Sequence, residues 1–241
     1  MASITVGALL LAAGCTSHHP APLPSPSAPV SVVPNTTAQL IAVAGLARAA
    51  NYTGTYNADS SDSPPRSSVI VAFRTATRTR LDVTEAGGQV LIQVDRTGTY
   101  TCNLPKAGPP SCLTLAGPGQ AVPQDLDPSG QALFTTTLDV LAQGANLTVA
   151  PAAARAAANG IPLSTCYAVI AVPSGGVDPG TYCFTATGIL TRAQFRSNVL
   201  QLTALSGAPA DSDFVLPATP LPVGTPAPAS TPAPASAPAS S

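Results

Sequence analysis

The chain has 241 residues, only 9% of them charged, and a formal net charge of −1. Its nine arginines and one lysine are scattered, which excludes both a basic stripe for a nucleic-acid backbone and a polybasic run for an anionic membrane surface. Twenty-seven prolines and 19 glycines beside so little charge fit a β-rich exported domain between unstructured ends, and setting the ends aside leaves about 180 residues, a normal size for one domain.

Ile4 to Ala13 is an unbroken run of mostly small apolar residues. It is too short for a bilayer, which needs about 20 such residues, but it suits the h-region of a signal peptide. The run ends in Leu11-Ala12-Ala13-Gly14-Cys15, which resembles the lipobox of bacterial lipoproteins. That resemblance implies a signal peptide over residues 1–14, cleavage before Cys15, and a diacylglycerol on its thiol carrying palmitate-like acyl chains. The partner is then a membrane, reached through the lipid on Cys15, and the location is the extracytoplasmic cell envelope. The n-region Met1-Ala2-Ser3 departs from the pattern in having no Lys or Arg.

Residues 15–35 are rich in Pro, Ser and Ala and cannot bury enough surface to offset chain entropy. They read as a semi-extended tether. His18 and His19 within it lack further ligands, so no metal site is expected.

The expected domain covers residues 36–217. Asn35-Thr36-Thr37 offers caps for an apolar helix from Ala38 to Ala50. The period then changes to two. Tyr52, Gly54 and Tyr56 alternate with threonines, and Val69, Val71 and Phe73 alternate with Ile70, Ala72 and Arg74. Two further strands run through Arg78–Val83 and Val90–Val94, with glycine turns between, so an antiparallel meander is expected. A second helix is expected where Ser129 precedes Phe134, Leu138 and Leu141, ending at Gly144, and a short Ala-rich helix over Pro151–Ala158. Strands resume over Leu163–Val172, Thr181–Thr187 and Ser197–Leu205. The order predicts an α+β fold. Residues 218–241, with Thr225-Pro226-Ala227-Pro228-Ala229-Ser230 repeated at 231–236, read as a disordered Pro/Ala/Ser/Thr-rich tail.

Four cysteines follow Cys15. Export permits disulfides, and four cysteines allow three pairings. Cys166 and Cys183 are equidistant from the turn at Pro173-Ser174-Gly175-Gly176, and Cys102 and Cys112 flank Lys106-Ala107-Gly108 in the same way, which favours Cys102–Cys112 and Cys166–Cys183.

No catalytic constellation emerges. There is no G-x-S-x-G, no H-E-x-x-H and no phosphate-cradling glycine loop. Both histidines lie in the tether, so a serine nucleophile would lack a histidine partner in the domain. Asp125-Leu126-Asp127-Pro128-Ser129-Gly130 echoes a calcium loop, but position 12 is Thr136 rather than the bidentate Glu. The expectation is a non-enzyme, without cofactor or metal, and monomeric.

Val69-x-Val71 leading to Arg74, Arg78 and Arg80-Leu81-Asp82, then Gly98-Thr99-Tyr100-Thr101-Cys102, Cys166-Tyr167, Gly180-Thr181-Tyr182-Cys183-Phe184 and Asp211-x-Asp213-Phe214-x-Leu216-Pro217, together resemble actinobacterial lipoproteins related to the LolA-like superfamily, which includes the LppX and LprG type of glycolipid carrier. The resemblance implies a half-barrel: a single curved antiparallel sheet with helices packed on its concave side. It also implies a lipid or lipoprotein acyl chain as ligand in an apolar cavity, carried without catalysis. Val71, Phe73, Ile92, Leu200 and Leu202 would line that cavity, with Phe134 and Leu138 on the closing helices. The alternative is a structural or interaction lipoprotein whose core is filled by its own helices, with no small-molecule ligand.

Overall fold

The computed structural model describes residues 35–61, 64–120, 122, 131–144, 146–171 and 177–222. The signal-peptide and lipobox readings, Cys15, the two histidines, the calcium-like loop up to Gly130, the turn at 173–176 and the repeat-bearing part of the tail all lie outside these residues.

The helix α1 (Thr36–Ala49) starts where Asn35 accepts from the Thr37 amide at 2.9 Å. Six strands follow: β1 (Tyr52–Ser60), β2 (Arg66–Arg74), β3 (Thr79–Glu85), β4 (Gly88–Asp95), β5 (Gly98–Pro105) and β6 (Ser111–Ala116). Two short helices, α2 (Gln131–Phe134) and α3 (Thr136–Gln143), come next, and Gly144 closes α3 in a left-handed cap at φ 64°. Five more strands complete the chain: β7 (Thr148–Arg155), β8 (Ser164–Ala171), β9 (Gly180–Thr185), β10 (Leu190–Phe195) and β11 (Asn198–Ser206).

All eleven strands form one antiparallel sheet in the order β6-β5-β4-β3-β2-β1-β11-β10-β9-β8-β7. Each half is a meander of hairpins, and the halves join where β1 pairs with β11, from Thr53↔Ser206 to Ser60↔Asn198. The α+β expectation is therefore corrected. The molecule is dominated by one large open sheet, and its described helices are few. Four segments account for the difference. Residues 98–105, 111–116 and 190–195 are strands that short polar runs hid. Pro151–Ala158, expected as helix, lies mostly in β7. Alanine favours helix only weakly, and pairing with β8 decides the outcome. Pro151 sits in an edge strand, where its missing N–H costs no central ladder bond.

The topology explains where the helices lie. The chain leaves β6 at one edge of the sheet and re-enters at β7 on the other, so the connection between them carries α2 and α3. Together with α1 they pack on one face. There Leu40, Ala44, Leu133, Phe134, Leu138 and Leu141 meet Tyr56, Ile70, Ala72, Leu81, Ile92, Phe184, Leu200 and Leu202 in the main core. A smaller cluster on the other face joins Leu91, Cys102 and Cys112 to Leu216 and Ala218. This second cover is the C-terminal segment. Arg80 grips Asp82 with one guanidinium edge, Nε and Nη2 donating to its two carboxylate oxygens at 2.7 and 2.9 Å, and donates through Nη1 to the carbonyls of Asp213 at 2.7 Å and Val215 at 3.2 Å. Arg78 stacks 4.2 Å over Phe214. Leu221 then donates to Cys112 O at 2.9 Å and accepts from Thr114 N at 2.8 Å, so ordered pairing runs past residue 217 and covers the β6 edge.

Both disulfides form as the symmetry argument expected: Cys102 with Cys112 and Cys166 with Cys183. Each joins directly opposed residues of neighbouring strands. Loop closure alone makes each worth about 3 kcal/mol.

Candidate functional site

The seven expected cavity residues do not share a face. Ile92, Leu200, Leu202, Phe134 and Leu138 meet in the main core. Val71 and Phe73 lie on the opposite face, correcting the expectation that they line the same surface. Register is the reason. Val71 opposes Asp82 and Phe73 opposes Arg80, whereas Ala72 opposes the core residue Leu81. Directly opposed residues point the same way, so Phe73 ends 5.6 Å beneath the Arg80 guanidinium. Both faces of this part of the sheet are covered, one by helices and one by the C-terminal segment. Both alternating series of β2 are therefore apolar, and the bulkier series was the wrong guide to the core.

The position that carries most information in β2 is the one that breaks its series. Arg74 continues the core-facing row of Ile70 and Ala72, opposite Tyr52 and Thr79, and is only 4% exposed. It donates through Nη1 to the carbonyl of Phe134, the last residue of α2. Its Nε has no hydrogen-bond partner, and no carboxylate pairs with it among the described residues. Burial pushes its pKa down from the ordinary arginine value, an effect opposed by Tyr52, Tyr56 and Asp139. The charge nonetheless persists at neutral pH. Beside it Tyr52 and Tyr56 share a hydroxyl contact of 3.1 Å, and Tyr56 donates to Leu190 O at 2.9 Å. The edge of one ring meets the face of the other between Tyr56 and Phe134, with centroids 5.2 Å apart.

Arg74 lines the wall of a cleft of about 540 Å³, within the range of small-ligand sites, roughly 300–1,000 Å³. The cleft lies between the C-terminal end of α1, the junction of α2 with α3, the β2–β3 turn at residues 75–78, and the end of β4. Arg48, Arg78 and Arg96 line it with Arg74, against the two carboxylates Asp95 and Asp139. Arg48 is held by Asp139 at 2.7 Å, and Arg78 is held from outside the cleft by Asp211. Partial burial works against ionisation of Asp95, but hydrogen bonds from Thr97, Gln93 and Gly98 outweigh it and keep its carboxyl below the usual range. Those bonds occupy Asp95 with the β4–β5 turn. Arg74 and Arg96 make no ion pair among the described residues, so the lining carries more positive than negative charge. Sequence reasoning missed this cleft, although an arginine in phase with Ile70 and Ala72 was the visible signal.

Among the described residues no group of three or more His, Cys, Asp or Glu could hold a metal, and no helix is long and apolar enough to cross a membrane. No family model and no curated protein matches the chain.

Proposed function

We propose that this protein is a lipid-anchored component of the bacterial cell envelope that works by binding rather than catalysis, on a rigid β scaffold whose core is filled by its own helices. The observation that carries the reading is the occupancy of the main core. The places that an acyl chain would need beside Ile92, Leu200 and Leu202 are taken by Phe134 and Leu138, and all five side chains are buried. Extracting those helices would expose a large apolar area at roughly 25 cal/mol per Å². The likeness to LolA-like lipoproteins supports the envelope location and lends nothing specific to a ligand. The anchor rests on the lipobox resemblance at Cys15, and two disulfides fit an oxidising compartment.

Two measurements on the full chain test this. Fractionation in a bacterial host should place the protein with the membrane, and Cys15→Ala should release it; a soluble wild-type chain of unprocessed mass would sink the anchor. Native mass spectrometry with lipid extraction should find no lipid held in the main core of the domain. Stoichiometric extractable lipid that Arg96→Gln does not displace would overturn the filled-core reading in favour of an acyl-chain carrier.

A further inference from the structure

We propose that the arginine-lined cleft is a binding site for a small phosphate-bearing anion, read by Arg74 and Arg96. A guanidinium removed from water normally acquires a carboxylate, because an uncompensated buried charge is expensive. Arg74 has none, although it is 4% exposed and its Nε is unpartnered. Its guanidinium donates to a neutral carbonyl on α2, and the Asp139 carboxylate acts on it without forming an ion pair. The charge is therefore held in place by the fold and left for something else to neutralise.

The surroundings narrow what that is. Two of the four arginines are engaged by carboxylates, Arg48 with Asp139 and Arg78 with Asp211, which fixes them at the cleft and partly cancels them. Arg96 lines the same cleft and is exposed, with no ion pair among the described residues. Two guanidinium groups without an ion pair among the described residues match one phosphate monoester, which carries about −1.5 to −2 at neutral pH and accepts paired hydrogen bonds from planar forks. The threonines of the β2–β3 turn add hydroxyls to the rim. The cleft holds about 540 Å³, room for a phosphate and a small organic body attached to it.

A phosphate of this kind could belong to a soluble metabolite or to a lipid headgroup, and three probes separate them. Isothermal titration of the full chain would use inorganic phosphate, glycerol 3-phosphate, and a short-chain phosphatidic acid kept below its micelle concentration, with chloride at equal ionic strength as reference. Saturable binding of glycerol 3-phosphate identifies a soluble phosphate ester, whereas binding confined to the short-chain lipid identifies a headgroup. Either supports the site, provided that Arg96→Gln weakens it about tenfold. Arg74→Gln should abolish binding but can also unfold the chain. Gly45→Leu is the second arm, because a side chain at Gly45 meets nothing within 4 Å on the helix surface facing the cleft. It improves helix propensity while filling the space, and should remove binding from a protein that melts no lower than wild type. Absence of saturable heat with all three probes at millimolar concentration overturns the proposal, as does binding that Arg96→Gln and Gly45→Leu leave unchanged. Neither result bears on the anchor or on the filled core.

Discussion

Phe134 shows how one side chain links the cleft to the core. Its ring fills the main core against Tyr56, while its carbonyl receives the Arg74 guanidinium. Phe134→Ala should therefore cost about 3–5 kcal/mol, the range for deleting a buried aromatic, read from the midpoint of urea denaturation. A loss under about 1 kcal/mol would mean that the helix segment is not packed on the sheet. The tyrosines make a second prediction, in pH. Burial raises the pKa of Tyr52, Tyr56 and Tyr182 above the ordinary tyrosine value of about 10, and Tyr182 also donates to Asp178 O at 2.7 Å. A raised folded pKa means that stability is fully present below the unfolded pKa and is lost as pH climbs toward the folded one. Each tyrosine then subtracts up to about 1.4 kcal/mol per pH unit above 10. Melting temperature should hold steady to about pH 10 and fall steeply beyond it, with Tyr182→Phe making the fall shallower. A flat profile to pH 11 would refute the burial of these hydroxyls.

At the level of elements, the contact between α1 and the β9–β10 turn rests on a glycine. Gly188 has φ +85°, and a Cβ there would stand 2.5 Å from Ala47 N and 2.6 Å from Leu46 C. Gly188→Ala should cost about 2–3 kcal/mol through backbone strain and collision with the helix. Gly87→Ala in the β3–β4 turn meets nothing within 4 Å and should be nearly neutral. Equal effects in a denaturation series would remove the argument. Elements that declare themselves by local chemistry were legible in the sequence: α1 from its Asn35 cap, the end of α3 from Gly144, and four strands from strict alternation. Both cysteine pairings were legible from symmetry about their turns. Elements set by distant partners were not. β7 is strand only because β8 pairs with it, and the core face of β2 is settled by Leu81, not by its own residues. The cleft was hidden for the same reason, since its arginines come together from three stretches of chain: the end of α1, β2 with its turn to β3, and the turn after β4.

For the whole molecule the decisive feature is the seam between β1 and β11. It joins two meanders whose internal pairings are all between neighbours in sequence, yet Tyr56 meets Leu202 and Thr53 meets Ser206. Every hairpin can form locally, but the seam must close nearly the whole domain, and loop-closure entropy opposes it until both halves exist. The seam should be absent from the rate-limiting transition state. Leu202 is 1% exposed, faces the main core and pairs with β1, so Leu202→Ala should destabilise by about 2–5 kcal/mol. Most of that should appear as faster unfolding. Leu81→Ala, in the β2–β3–β4 meander, should instead slow folding if the local hairpins are what the transition state contains. Stopped-flow chevrons of the two variants decide it. Were Leu202→Ala to slow folding in proportion to its full loss of stability, the seam would be the nucleus, and the two halves would be meanders that cannot form until they meet.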